Sequence, residues 1–112
     1  MKLELLVPKP LVTESFRRSR ERFVPEKAGC YALTTFEREV LYIGLSVNLR
    51  RRVNEHLDSA AKTELTAHGR AVLIHWIETP EVNKIERTWM NIHLVTEGRL
   101  PILNSAYSPT ST

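Results

Sequence analysis

Apolar residues are concentrated in short runs that polar segments separate. Residues 28–35 and 40–44 form two such runs, and the polar segment 36–39 between them is typical of a turn. This pattern predicts a hairpin of two antiparallel strands. A third run, residues 71–77, is apolar apart from His75, and it predicts a strand that is covered on both faces.

Apolar residues four positions apart predict a helix after the hairpin. Its stripe consists of Leu49, Val53 and Leu57, and Ser46 is the expected cap. A weaker helical stretch, residues 60–67, follows. With one apolar stripe, the stronger helix should pack against the sheet.

A longer helix is predicted to begin at Thr79 and Pro80, because threonine caps helices and proline suits the first helical position. Gly98 is expected to end it. Its core-facing stripe comprises Val82, Ile85, Trp89 and Ile92. Glu86 lies at the edge of this stripe, where burying a carboxylate is costly unless a partner is present.

The two ends of the chain differ from its centre. Residues 1–27 are predicted to form an extension with a basic helix over residues 14–23, which Thr13 would cap. Residues 105–112 are rich in Ser, Thr and Pro and predict a disordered tail. The part between them, residues 28–104, is then the one compact domain.

The composition narrows the class of protein. The 112 residues are 42% hydrophobic, which suits one domain with a modest core. A single cysteine, Cys30, excludes an internal disulfide framework and a thiolate metal cluster. The sequence has no apolar run that could cross a bilayer, and its opening segment is too short for a signal peptide. We therefore expect a soluble, cytoplasmic protein without a membrane partner.

Positive charge is concentrated in the first half of the chain. The net charge is +3, but residues 1–56 carry eleven Lys and Arg against seven Asp and Glu, while residues 57–112 carry five against six. The N-terminal cluster is as typical of a solvated face as of a phosphate-contacting patch. The residues expected to bind nucleic acid are Arg17, Arg18, Arg20, Arg22, Asn48, Arg50 and Arg51.

Two tyrosine–glycine strings carry the strongest chemical signal, and ten residues lie between their tyrosines. They are Gly29-Cys30-Tyr31 and Tyr42-Ile43-Gly44. The predicted hairpin brings Tyr31 and Tyr42 into neighbouring strands. Arg52 and His56, four apart on the next helix, lie beside its apolar stripe and can lean over the sheet edge. Two phenols, a guanidinium and an imidazole in one unit suggest phosphodiester chemistry.

The order and spacing of these residues resemble the GIY-YIG endonuclease superfamily. The resemblance also includes Glu86 and the ending at residues 101–104, and it covers residues 28–104. It implies an α+β fold, with a three-stranded antiparallel sheet flanked by helices, preceded here by the short N-terminal helical extension. It also implies an enzyme that hydrolyses phosphodiester bonds in nucleic acid with a divalent metal ion.

The resemblance further assigns roles to six residues. Tyr31 and Tyr42 correspond to the motif tyrosines, Arg52 to the catalytic arginine, His56 to a frequent histidine, Glu86 to the ligand of one Mg²⁺ or Mn²⁺, and Asn104 to the terminal asparagine. These residue types suit the chemistry, because a guanidinium and a cation stabilise the charge of a phosphodiester transition state. One carboxylate with waters and substrate oxygens satisfies magnesium.

The sequence leaves the identity of the proton acceptor open. A phenol with a reference pKa of ~10 needs a nearby cation to act as a base, and Arg52 and the metal could supply that charge. Our hypothesis assigns the proton relay to Tyr31 and an orienting role to Tyr42. Two positions depart from the family pattern: Cys30 replaces an isoleucine, and Leu45 stands where relatives often carry a polar or basic residue.

The expected substrate is DNA, in single-stranded or branched form, because no zinc cluster or second domain is available to read base edges. A homodimer with the apolar residues 3–7 as a contact is one option. A catalytically silent nucleic-acid-binding module and a protein-interaction adaptor are the alternatives. Repair, restriction and mobile-element contexts fit the sequence equally well.

Overall fold

The computed structural model describes residues 1–104, so the predicted tail lies outside the described residues. Four antiparallel strands form one sheet in the order β1-β4-β2-β3. The strands are β1 (Val12–Ser15), β2 (Gly29–Thr34), β3 (Val40–Ser46) and β4 (Leu73–Glu78). The helices are α1 (Leu49–Leu57), α2 (Ala60–Thr63) and α3 (Val82–Glu97), with 3₁₀ helices at Leu3–Leu5 and Arg18–Phe23. This is an α+β fold, and its sheet has four strands rather than three.

The sheet separates two apolar layers. Alternate residues of the central strand β2 point to opposite faces, so Tyr31 and Leu33 join the layer under α1, whereas Cys30 and Ala32 join the layer under α3. Both layers exclude water, which explains why every residue of β2 is buried. The predicted hairpin and the third predicted strand are confirmed.

The predicted N-terminal helix is wrong in its first part. Thr13 and Glu14 lie in the edge strand β1, where Thr13 pairs with His75 and Glu14 with Ile74. Only the later residues become helical, as the 3₁₀ helix Arg18–Phe23. Because β4 would otherwise leave its backbone groups unpaired, pairing with a distant strand outweighs the local helical signal.

Two predicted helix starts also shift. Ser46 ends β3, and Asn48 caps α1 instead, since its Oδ1 accepts a hydrogen bond of 3.1 Å from the Arg51 N–H. The long helix begins two residues after Pro80, and the Thr79 hydroxyl oxygen accepts a bond from the N–H of Glu81. At both helix starts a side-chain oxygen accepts a hydrogen bond from a backbone N–H two or three residues later. Which residue caps the helix depends on where the preceding strand ends.

Of the other helical predictions, the apolar stripes and the end of the long helix are confirmed, whereas the predicted weak helical stretch is too long. The apolar stripes of α1 and α3 are confirmed, because Leu49 and Trp89 are completely buried. Gly98 ends α3 as expected, with a left-handed φ of 74°. The weak helical stretch is shorter than predicted, since α2 has four residues. No helix among residues 1–104 is long and apolar enough to cross a membrane.

A buried histidine joins β1 to the sheet. The Thr34 hydroxyl donates to the Thr35 carbonyl at 2.9 Å, so its oxygen accepts from Nε2 of His75 at 2.8 Å. Nδ1 of His75 then accepts from the Thr13 hydroxyl at 2.7 Å. Burial lowers the pKa of His75 to about 4, and the charge of Arg38 acts in the same direction. His75 is therefore a neutral structural residue at pH 7.

This network predicts an acid-sensitive fold. The folded-state pKa of His75 is below its usual 6.5, so its stabilising contribution is complete above pH 6.5 and is lost as the pH falls towards about 4. One such proton changes the free energy of unfolding by at most about 1.4 kcal/mol per pH unit. Urea unfolding between pH 7.5 and 4 should show a shallower decline for His75→Gln than for the wild type. Parallel curves for the two proteins would contradict this assignment.

Candidate active site

Three aromatic rings meet on the α1 side of the sheet. Tyr31 lies opposite Gly44 in the β2–β3 ladder, and Tyr42 lies opposite Leu33, so the two phenols are diagonal neighbours on one face. Their ring centroids are 5.9 Å apart. Helix α1 places the His56 ring 5.5 Å from Tyr31 and 5.1 Å from Tyr42. The sequence-predicted phenols and imidazole thus form one cluster, which we call the ring cluster.

A β-bulge precedes the second tyrosine. The register shifts between Leu33, which pairs with Tyr42, and Thr34, which pairs with Val40, so Leu41 is the extra residue. As a result Leu41 and Tyr42 both face α1, although they are consecutive. A strict two-residue period does not predict this arrangement.

Both motif glycines are required by close packing. A Cβ atom on Gly44 would lie 2.6 Å from the Tyr31 hydroxyl oxygen and 2.8 Å from Cε2 of Tyr42. A Cβ atom on Gly29 would lie 2.4 Å from the carbonyl oxygen of Ile77 in β4. Gly44 therefore allows the two phenols to pack across β3, and Gly29 allows β2 and β4 to pair closely.

The Tyr31 hydroxyl is hydrogen-bonded to Nε2 of His56. Tyr31 is 1% exposed and His56 is 6% exposed. Burial lowers the pKa of His56 to about 4, and the positive charges of Lys62 and Arg52 act in the same direction. His56 is therefore neutral at pH 7, and the phenol donates its proton to an unprotonated Nε2.

Neither phenol is poised as a phenolate. Burial raises the pKa of Tyr31 well above its usual value, the Tyr42 phenol raises it further, and Arg52 lowers it by less. Burial also raises the pKa of Tyr42, against the opposing effects of Tyr31 and Arg52. Arg52 thus acts in the direction that the sequence suggested, but burial outweighs it. The acceptor available to the Tyr31 phenol proton is Nε2 of His56.

Arg52 presents an unsatisfied donor beside the ring cluster. Its Nε atom is buried and makes no hydrogen bond within residues 1–104. The nearest carboxylate oxygen, Oε1 of Glu55, lies 3.6 Å from Nε, too far for a hydrogen bond. A buried guanidinium N–H that makes no hydrogen bond is suited to an anionic group such as a phosphate.

Glu86 approaches from the other side of the sheet, on α3. Its half-buried carboxylate forms no ion pair within the described part of the chain. Burial raises the pKa of Glu86, and Arg87 opposes this effect. The negative charge of Glu86 in turn raises the pKa of both Tyr31 and Tyr42, so the carboxylate acts electrostatically on the ring cluster.

The donor set fits a hard cation with few protein ligands. Residues 1–104 contain no group of three or more His, Cys, Asp or Glu side chains that could hold a metal ion. Glu86 would therefore supply one carboxylate, and waters and substrate oxygens would supply the remaining ligands. Magnesium is commonly bound in this way.

Asn104 is bound to the strand that carries Tyr42. Its Nδ2 donates to the Ile43 carbonyl at 2.9 Å, and its Oδ1 accepts from the Ile43 N–H at 3.0 Å. The N–H of Leu103 donates to the Leu41 carbonyl at 2.8 Å. Asn104 thus holds the end of the domain against the free edge of β3, a positioning role.

Leu45 and Cys30 lie away from the ring cluster. Both belong to the apolar layer under α3, where Leu45 is buried and the Cys30 thiol donates to the Val82 carbonyl at 3.1 Å. Burial raises the pKa of this thiol to about 12. Neither side chain is placed to contact a phosphate on the α1 side.

Two of the predicted nucleic-acid-binding arginines connect the N-terminal segment to the rest of the domain. Arg18 donates to Asn54 of α1 at 2.7 Å and also pairs with Asp58. Arg50 donates to the carbonyls of Val24 at 2.8 Å and Arg22 at 3.0 Å.

Arg20 makes two bonds to Glu14, at 2.9 and 3.0 Å. Arg22 lies 5.1 Å from the Phe23 ring centroid, and Arg51 lies 3.8 Å from Glu55. Arg17 is exposed and forms no ion pair within residues 1–104. Their role in binding nucleic acid stays a prediction, and the structure gives Arg18, Arg20 and Arg50 an intramolecular role.

One cation near the ring cluster was not predicted. The Nζ atom of Lys62, on α2, lies 5.0 Å from the centroid of the Tyr42 ring. The sequence shows Lys62 only as a lysine in a weakly helical stretch, and no spacing relates it to either tyrosine.

Comparison with known proteins agrees with this geometry. The model of the GIY-YIG catalytic domain matches residues 27–94, which is more than half of the chain. The chain therefore belongs to the GIY-YIG family. The match includes Tyr31, Tyr42, Arg52, His56 and Glu86, whereas Asn104 lies beyond it. No curated protein matches the chain.

Family membership supports a nuclease-type function in general, with DNA as the substrate. Nucleases of this family generally depend on a divalent metal ion.

The packing at Gly44 yields a stability prediction. Gly44→Ala should destabilise the protein by about 1–3 kcal/mol, because the new methyl group meets both phenol rings. Truncation of Tyr31 to Leu should remove part of this clash. In a double-mutant cycle followed by urea unfolding, Gly44→Ala should cost less in the Tyr31→Leu background. Equal costs in both backgrounds would show that the rings do not constrain this glycine.

Proposed function

We propose that this protein is a divalent-metal-dependent endonuclease that hydrolyses phosphodiester bonds in DNA. The observation that carries this proposal is the hydrogen-bonded pair of Tyr31 and neutral His56 within electrostatic range of Arg52, whose Nε makes no hydrogen bond within residues 1–104. A proton acceptor and an anion-binding donor, side by side, are the two groups that hydrolysis of a phosphodiester needs most.

Tyr31 and His56 form the proposed proton relay. The attacking water transfers a proton to the Tyr31 oxygen while the phenol proton passes to Nε2 of His56, so the step requires no free phenolate. Arg52 binds a non-bridging oxygen of the phosphate and stabilises its developing negative charge. Tyr42 orients the water, and its ring packs against His56.

Glu86 is the proposed ligand of one Mg²⁺ or Mn²⁺ ion. When bound, this ion supplies a positive charge that stabilises the transition state. Glu86 itself contributes a carboxylate that has no competing cation among residues 1–104 in ion-pair range. Asn104 supports the site indirectly by holding β3 in place.

Single-stranded or branched DNA is the proposed substrate. This proposal is supported by the intramolecular pairing of Arg18, Arg20 and Arg50, which leaves fewer cations for a long duplex site. Recognition would then rest on the form of the DNA rather than on base edges.

Glu86→Gln tests the metal-dependent activity. The wild type should cleave at least one of single-stranded, duplex, flap or branched DNA with Mg²⁺ or Mn²⁺, and Glu86→Gln should reduce cleavage by about 10³-fold or more, because the cation loses its carboxylate. Thermal melting and DNA binding in EDTA should be unchanged. The matched control is Glu81→Gln, an exposed carboxylate at the start of the same helix, which should cleave normally.

Other outcomes of this experiment identify the alternatives. DNA binding without cleavage on any substrate, RNA included, would favour a silent nucleic-acid-binding module. Salt-insensitive binding to a protein, with no affinity for DNA, would favour an adaptor. Either result would overturn the endonuclease proposal.

The relay predicts a specific dependence on pH. Tyr31→Phe should lower the cleavage rate constant by about 10²–10⁴-fold, whereas Tyr42→Phe should lower it less. Because the pKa of His56 is lowered to about 4, the imidazole stays neutral from pH 6 to 9 and should produce no inflection near 6.5. Single-turnover rates of the three proteins across this range provide the measurement.

A Tyr31→Phe variant that cleaves at the wild-type rate with an unchanged pH profile would refute the relay. An inflection near pH 6.5 in the wild type that His56→Gln removes would instead contradict the lowered pKa of His56, because it would show an imidazole that becomes protonated below pH 6.5 in the folded protein.

A further inference from the structure

We infer that Lys62 is a phosphate-binding residue of the active site, whose ammonium binds the DNA backbone beside Tyr42. The inference rests on the proposed function and extends it, because it adds a contact for a second phosphate next to the one at Arg52. Three features of Lys62 support it: its position, the aromatic ring beneath its ammonium, and the lack of a carboxylate partner within residues 1–104.

Local hydrogen bonds fix Lys62 with respect to His56. The N–H of Ser59 donates to the His56 carbonyl at 3.0 Å, and the N–H of Lys62 donates to the Ser59 carbonyl at 3.2 Å. The Thr63 hydroxyl also donates to the Ser59 carbonyl, at 2.9 Å. These bonds connect the four-residue helix α2 to the C-terminal end of α1, which carries His56, through the extended residue Ser59.

The ammonium of Lys62 has no carboxylate within 4.0 Å in the described residues. It lies instead over the face of Tyr42, 5.0 Å from the ring centroid, and the side chain is half-buried. This differs from Arg18, Arg20 and Arg50, whose charges are paired within the domain. Lys62 thus remains available to an external anion.

Lys62 and Arg52 act on the same imidazole. Both positive charges disfavour protonation of His56, so both lie within electrostatic range of the ring cluster. A nucleic-acid strand that places one phosphate at Arg52 therefore brings further backbone charge towards Lys62. Lysine is a compact point charge on a flexible stem, so its ammonium can exchange the ring face for a phosphate oxygen.

DNA binding without metal tests this inference independently of cleavage. Fluorescence anisotropy in EDTA, with labelled single-stranded and duplex oligonucleotides at 50–200 mM NaCl, measures Kd and its salt dependence. Lys62→Met should raise Kd by about 3–10-fold and reduce the slope of log K against log salt by about 0.7–0.9, the value for one phosphate contact. Lys62→Arg should retain the wild-type slope.

Lys9→Met is the matched control. Lys9 is exposed and lies beside Arg38 and Thr13, near the turn of the hairpin, so the same loss of charge should leave the slope unchanged. Equal thermal melting of Lys62→Met and wild type would show that the fold is intact. Cleavage kinetics should show a raised KM for Lys62→Met.

Failure of the inference and failure of the proposed function give different results. A salt slope and Kd for Lys62→Met equal to those of the wild type would overturn the inference, as would a wild-type protein that binds no DNA. A reduced slope for Lys62→Met in a protein that never cleaves would support Lys62 as a phosphate contact while refuting the endonuclease proposal.

Discussion

The packing of two phenol rings across Gly44 is the constraint on which the site depends. Tyr31 and Tyr42 come from different strands whose register places both on one face, and their rings pack closely there because Gly44 has no Cβ atom to separate them. The same face receives α1, whose His56 accepts the Tyr31 hydroxyl bond. A change in the strand register or at Gly44 would therefore disturb the phenols, the imidazole and the helix together.

Burial and charge act in opposite directions in this cluster, and burial is stronger. Arg52 lowers the pKa of both phenols, yet burial keeps them protonated. Burial also keeps His56 unprotonated. A protonated donor and an unprotonated acceptor result, so the hydrogen bond between them provides a path for a proton without a free charge in the core.

Much of the positive charge of the domain has a structural use. Arg18 and Arg50 bind the N-terminal segment to α1, and Arg20 pairs with Glu14 of β1. The cations closest to the ring cluster, Arg52 and Lys62, lack a hydrogen-bonded carboxylate within residues 1–104. The distribution of partners, rather than the number of arginines, therefore identifies the cations that suit a phosphate.

The sequence by itself determined the local elements and the family. Hydrophobic patterns with a period of two or four act over a few residues, so they predicted the hairpin, α1 and the buried stripe of α3. The order and spacing of the candidate site residues predicted the family: Tyr31, Tyr42, Arg52, His56 and Glu86. Tertiary structure decided the rest. Only the unpaired edge of β4 made residues 12–15 a strand instead of a helix.

Three contacts depend on tertiary packing alone. Asn104 bonds Ile43, Arg18 bonds Asn54 of α1, and Lys62 lies over the Tyr42 ring. Each of these contacts joins residues that are 20 to 61 positions apart, as for Tyr42 with Lys62 and Ile43 with Asn104. Local propensity carries no information about such pairs, because their geometry follows from the register of the strands and the docking of the helices.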